Sequence, residues 1–205
     1  MTINVHTVVW NEEWMLPKFL DHYSQFANTI CVIDHASTDR TAEIAKAHPM
    51  VKYSKLPDSM YDEEMVNQAF YKSIKKHPSD WAVVVDCDEF VDISYLDKLE
   101  KGKVYKTRSF MMVGKTGRLE DCKDIRWPKF DKPIVFDPAL PIKFGDGRHT
   151  CNLPVDDNGP NLFHYKYPSR EYYYERNIKA YPRIMDQKTA NYRIKRGLDW
   201  YDKHK

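Results

Sequence analysis

Trp81-Ala82-Val83-Val84-Val85-Asp86-Cys87-Asp88-Glu89-Phe90 runs from five uninterrupted apolar residues straight into two carboxylates at i and i+2. An apolar run rich in β-branched residues and bounded by polar ones reads as a strand buried on both faces. Side chains alternate along a strand, so Asp86 and Asp88 are expected to face one way and Cys87 the other. Two carboxylates on one side of a strand end make a hard oxygen site for a divalent ion such as Mn²⁺ or Mg²⁺. Such an ion can in turn hold a diphosphate. A solvated acidic turn after a core strand is the simpler alternative, and the tripeptide alone does not separate the two.

Upstream of this run the chain alternates between strand-like and helix-like patterns. Ile3 to Trp10 is a first apolar run ending in Asn11-Glu12-Glu13, and Trp14, Phe19, Leu20, Tyr23 and Phe26 then recur at mostly helical spacing. Thr29 to Ile33 reads as a second strand, followed by Asp34-His35-Ala36-Ser37-Thr38-Asp39 and a helix from about Arg40 to Ala47. Ser37 or Thr38 is its expected cap. A weaker strand lies near Val51 to Leu56 and a third helix near Tyr61 to Lys76, with Ser59 and Asp62 spaced like a capping box. This β-α-β-α-β-α-β order argues for an α/β fold with a mostly parallel sheet. Ligands of such sheets sit outside the carboxyl ends of the strands. Three polar clusters occupy those ends, Asn11-Glu12, Asp34 to Asp39 and Asp86 to Glu89, and are expected to meet.

Length and composition set bounds. The chain has 205 residues, 42% hydrophobic and 30% charged, which suits one sizeable core in a folded domain rather than a disordered segment. A net charge of +2 singles out no partner. Cys31, Cys87, Cys122 and Cys151 show neither a disulfide framework nor zinc spacing. No run approaches the about 18 apolar residues that span a bilayer, and the start lacks a secretory pattern, so a cytoplasmic location is expected. Gly114-Lys115-Thr116-Gly117 is a loop without P-loop spacing. Val104 to Val113 reads as one or two strands, and the proline-rich stretch from Trp127 to Phe144 as irregular.

Taken together, Asn11-Glu12-Glu13, Asp34-His35-Ala36-Ser37-Thr38-Asp39 and Asp86-Cys87-Asp88-Glu89-Phe90 resemble a GT-A fold glycosyltransferase of the family 2 type and its relatives resembling family 92. Ser109 to Gly117 resembles the loop after that group's metal motif, with Val113 where an aromatic is usual. His164-Tyr165 followed by Ser169-Arg170-Glu171 resembles its closing segment, so the likeness covers about residues 3 to 180. It implies a Rossmann-like nucleotide-binding sheet carrying a metal-dependent transfer of a hexosyl or pentosyl group from a nucleotide-sugar, UDP-linked, to a hydroxyl acceptor. Glu12 and Asp34 would hold the base and ribose, Ser37 and Asp39 would shape the pocket, and Asn11 would belong to the same nucleotide-sugar site. Asp86 and Asp88 would bind Mn²⁺ or Mg²⁺, with Asp88 the more direct ligand and Asp86 nearer the ribose. His164 is the expected histidine ligand and His149 the reserve. A direct attack needs a base for the acceptor proton. Glu120 and Asp121 after the glycine loop, and Glu89 beside the metal motif, are the candidates.

The domain is expected over residues 1–164, with residues 165–205 as a helical extension packed on it. That extension carries eleven Lys and Arg against five Asp and Glu, with eight tyrosines. Helices are expected over Ser169 to Tyr181 and over Gln187 to Asp199, with Gly197 a weak point in the second. The composition suits a glycan acceptor or a polyanion such as modified-base DNA. An amphipathic hairpin with a solvated basic face is the alternative. Truncation after Tyr181 is accordingly expected to weaken acceptor use more than donor binding. Two other functions fit parts of the sequence. A nucleotidyltransferase would carry a glycine-rich basic loop after its first strand, where Asn11-Glu12-Glu13 stands. A non-catalytic nucleic-acid-binding module leaves the three acidic clusters without a reason.

Overall fold

The structure, a computed structural model, describes residues 1–57 and 60–205. The alternating pattern becomes β1 (Ile3–Val9), α1 (Leu16–Tyr23), β2 (Thr29–Asp34), α2 (Thr41–Ala47), β3 (Val51–Lys55), α3 (Glu63–Lys76) and β4 (Trp81–Val84). These four strands are parallel in the order β3-β2-β1-β4, so the mostly parallel α/β sheet expected from the sequence is what the chain forms. The period of two is visible in the packing. Trp81, Val83 and Val85 enter one core with Phe19, Tyr23 and Phe90, while Ala82 and Val84 enter the other with Val66 and Phe70. Complete burial of each such side chain is worth about 1.5–3 kcal/mol.

Helix boundaries follow their caps. The carboxylate of Asp62 accepts from the Met65 N–H at 2.6 Å, which starts α3 at Glu63. Ser59, expected as its capping partner, lies outside the described residues. At α2 neither Ser37 nor Thr38 caps; Asp39 accepts from the Thr41 N–H at 2.9 Å instead.

Val104 to Val113 splits into β6 (Val104–Tyr105) and β7 (Arg108–Val113), which join different sheets. β6 extends the main sheet through β9 (Val135–Phe136), which runs antiparallel to β4. A second sheet has the order β5-β10-β7-β8, from β5 (Glu89–Val91), β8 (Lys123–Arg126) and β10 (Asn161–Tyr167). β10 spans the boundary drawn at 164/165. The second sheet therefore draws residues from both sides of that boundary.

The last two helices are α4 (Arg170–Ala180), capped by Ser169, and α5 (Gln187–His204). α5 runs five residues beyond the expected Asp199. Tyr167, Tyr173 and Tyr201 form a small core with Met111 and Val113 of the second sheet, and the Tyr201 hydroxyl donates to the Gly114 carbonyl at 2.8 Å. This corrects the expectation for truncation after Tyr181: removing α5 opens that core, so folding is expected to suffer and not acceptor use alone. Gly197 is a packing site instead of a weak point. A Cβ there would overlap the Tyr173 hydroxyl and come within 2.7 Å of its Cε1. Alanine gains about 1 kcal/mol of helix propensity, but overpacking costs about 1–3 kcal/mol. Gly197→Ala is therefore expected to lower the thermal midpoint, and a rise would contradict this packing. No helix among the described residues is long and apolar enough to cross a membrane.

Candidate functional site

The rim at the carboxyl ends of β1, β2 and β4 is knitted from the three polar clusters. Asn11 accepts from the Thr38 N–H at 2.7 Å, and its own N–H donates to Ser37 Oγ at 2.9 Å. The Glu12 N–H donates to Thr41 Oγ1 at 2.7 Å, and the Glu13 N–H to Asp39 at 3.1 Å. Among the described residues, the non-glycine ones with positive φ are Asn11 (52°), Ala36 (58°) and Arg148 (59°). Asn11 and Ala36 lie in loops at this rim, and Arg148 ends a 3-10 turn that lines the same cleft. A left-handed conformation costs an L-residue about 1–2 kcal/mol, and such strain concentrates where a side chain must be aimed.

The strand ends at Val84, and residues 86–89 form a turn closed by the Glu89 N–H on the Asp86 carbonyl at 3.0 Å. Asp86 and Asp88 nevertheless both line one cleft of about 830 Å³, while Cys87 turns into the core. Three cations meet these acids. Lys132 Nζ lies 2.8 Å from Asp86 Oδ2 and 2.5 Å from Glu89 Oε1. Arg148 pairs with the other Asp86 oxygen and with Glu63. Arg176, on α4, donates to Glu12 Oε1 from Nε at 3.0 Å and from Nη2 at 2.6 Å, and to Asp88 Oδ2 from Nη1 at 2.6 Å. His164 Nε2 stands 3.4 Å from that same Asp88 oxygen. Burial pushes both aspartates up, but Arg148 and Lys132 outweigh it at Asp86, and Arg176 and His164 at Asp88, so both are held well below the usual range.

Glu12 goes the other way. Burial pushes its carboxyl up to about 7, although Arg176 pulls it back. Between about 4.5 and about 7 the folded chain then binds more protons at Glu12 than the unfolded one, so stability falls as pH rises through that window. Glu12→Gln is expected to remove this decline. In urea unfolding the wild-type midpoint should fall relative to the variant's from about pH 5 to about 7 and run parallel above. Parallel midpoints throughout would contradict it.

Of the residues singled out in the sequence, Asn11, Glu12, Asp39, Asp86, Asp88, His149 and His164 line the cleft. Asp34 and Ser37 do not: Asp34 is fully buried, accepting from the Ser37 N–H at 2.8 Å and the Tyr53 hydroxyl at 2.7 Å, so both shape the loop beneath. Glu120 and Asp121 stand outside the cleft, paired with Arg118 on an exposed turn. Glu89 is fully buried, accepting from Lys132 and from the Asp86 N–H at 3.0 Å; it positions the turn and does not face the cleft. Lys132, Arg148 and Arg176 line the cleft unforeseen. Arg148 alone had a legible signal, the Gly145-Asp146-Gly147 turn before it. At the cleft's edge the Arg183 guanidinium lies 4.4 Å from the Trp10 ring centre, bringing the carboxyl-terminal segment over the end of β1. Among the described residues no three Asp, Glu, His or Cys side chains are gathered as a complete metal-ligand set. Asp88 and His164 supply two.

Residues 5–103 match the family model described as glycosyl transferase family 2. No curated protein matches the sequence. Among solved structures, S. aureus TarS 1-349 in complex with UDP-GlcNAc aligns at TM-score 0.50 and 16% identity, over 91% of this chain and 67% of that one. The same TarS fragment alone aligns at TM-score 0.51 and 14% identity, over 91% and 66%. A longer S. aureus TarS structure aligns at TM-score 0.50 and 15% identity, over 85% of this chain and 38% of its own length. The chain thus spans well under half of that longer protein. At these identities the likeness establishes the fold.

Proposed function

From the premise that the chain has a GT-A fold of the glycosyl transferase family 2 type, we propose that it moves a hexosyl or pentosyl group from a nucleotide-sugar to a hydroxyl of a glycan acceptor. The observation that carries this reading is the convergence of Asn11-Glu12, Asp39, Asp86 and Asp88 on one cleft at the carboxyl ends of parallel strands. A UDP-linked donor is favoured by the TarS complex, which holds UDP-GlcNAc.

In the proposed reaction the acceptor oxygen bonds to the anomeric carbon, the bond from that carbon to the diphosphate oxygen breaks, and the hydroxyl proton passes to a base. Glu171 and Glu175 line the cleft one helical turn apart on α4 and replace Glu120 and Asp121 as the candidates. Manganese or magnesium suits the Asp88–His164 pair. Such ions are commonly held by one or two carboxylates together with substrate phosphates and water. A metal on His164 Nε2 would leave the proton on Nδ1, which is buried without a hydrogen-bond partner and stands 3.9 Å from the Glu89 carboxylate. When bound, the ion would neutralise charge developing on the diphosphate. Lys132 and Arg148 hold Asp86 beside it, nearer where a ribose would lie.

A polyanionic acceptor, DNA with a hydroxylated base, has its own support in exposed Lys188, Arg193, Lys195 and Arg196 on α5. Thermal unfolding with Mn²⁺ and UDP, with ATP, and with DNA tests these readings together. Metal-dependent stabilisation by UDP and not by ATP is expected; stabilisation by DNA alone would replace the enzyme with a binding module.

A further inference from the structure

We propose that Arg176 and a divalent cation are alternative occupants of one seat beside Asp88, so that α4 must release its arginine before the ion is taken. The inference rests on the metal-binding reading above. Arg176 makes three charged hydrogen bonds there, two to Glu12 and one to Asp88. Lys132 and Arg148 are already committed to Asp86, Glu89 and Glu63. Arg176 is therefore the counter-charge for Glu12 and Asp88, whose side chains are 9% and 2% exposed. A carboxylate as buried as Asp88 requires a cation, and removing that partner leaves an uncompensated charge.

The seat cannot hold both cations. Arg176 Nη1 is 2.6 Å from Asp88 Oδ2, and His164 Nε2 approaches the same oxygen at 3.4 Å. An ion bonded to that oxygen at about 2.1 Å would stand against the guanidinium with no solvent between them, and like charges at such range repel strongly. A diphosphate entering the cleft offers the guanidinium a replacement for Asp88 while it keeps Glu12, because Arg–phosphate pairing is bidentate and strong. Metal and nucleotide must then bind cooperatively, and Arg176 carries the coupling.

Calorimetric titration of the full chain with Mn²⁺, with and without UDP, tests this. UDP is expected to tighten Mn²⁺ binding to the wild type by about tenfold or more, within the usual range of coupling between sites. Arg176→Gln is expected to bind Mn²⁺ alone about tenfold more tightly than the wild type, with little further gain from UDP. Arg176→Lys, whose single ammonium cannot bridge both carboxylates, should fall between them and serves if the glutamine variant does not fold. Mn²⁺ affinity without UDP that is unchanged or weaker in both variants, while the wild type binds Mn²⁺ and UDP, would overturn the inference alone. No Mn²⁺ uptake by any form would overturn the metal reading and this inference together.

Discussion

Asp88→Asn is expected to lower sugar transfer by about 10³-fold while leaving the fold in place, since electrostatic stabilisation of a developing charge is worth several kcal/mol. Asp88 sits in the turn after β4, is 2% exposed, and is where Arg176 and His164 meet. Asparagine keeps the shape and one acceptor oxygen. It removes the charge that would grip a metal ion or hold Arg176 in reserve. The fold should tolerate the change because Arg176 keeps both bonds to Glu12. Two measurements check this: initial rates with a UDP-sugar, and the thermal midpoint. A variant that transfers or hydrolyses as fast as the parent removes Asp88 from the reaction. A variant that fails to fold shows instead that the carboxylate is a structural counter-ion.

Lys132→Met should cost about 3–5 kcal/mol of stability, the largest single effect expected in the chain outside the hydrophobic core. The Lys132 side chain is 4% exposed, and that of its partner Glu89 is fully buried. Burial would push the ammonium toward neutrality, but Asp86 and Glu89 outweigh it and raise its pKa. Methionine fills the same volume and removes the charge, so Glu89 is left buried with no cation of its own. Arg148 keeps its bond to Asp86, which limits the damage to the Glu89 side. The exposed pair Arg40–Glu43 is the control, because surface ion pairs contribute about 0–1 kcal/mol. Urea unfolding of both variants decides the point. A Lys132→Met loss as small as that of Arg40→Ala would mean that Glu89 has another way to compensate its charge.

The legible part of the fold was the part governed by local rules. Trp81 to Val85 had to be a doubly buried strand, and the helices between strands announced themselves by period, although Asp39 rather than Ser37 or Thr38 caps the second of them. Parallel alternation then fixed where Asn11, Asp39 and Asp88 would gather. The second sheet was illegible because β10 pairs with β7 in parallel across about fifty residues of chain, and nothing local encodes that partner. The cations were illegible for a related reason. Lys132 lies in a proline-rich irregular stretch and Arg176 on a helix whose sequence resembles a solvated basic face. Each becomes a site residue through contacts with Glu12, Asp86, Asp88 or Glu89, which lie 43 to 164 positions away in the chain. Asp34 shows the opposite case: a polar residue at a strand end, legible as a ligand-binding group, whose two oxygens go to Ser37 and Tyr53.

Mass spectrometry of the products formed from a panel of nucleotide-sugars with Mn²⁺ and glycan acceptors tests the cleft's assignment most directly. Release of UDP matched by an acceptor heavier by one sugar residue, and absent in the Asp88→Asn protein, is the expected result. Unchanged donors across the whole panel, from a chain that nonetheless folds, would contradict it.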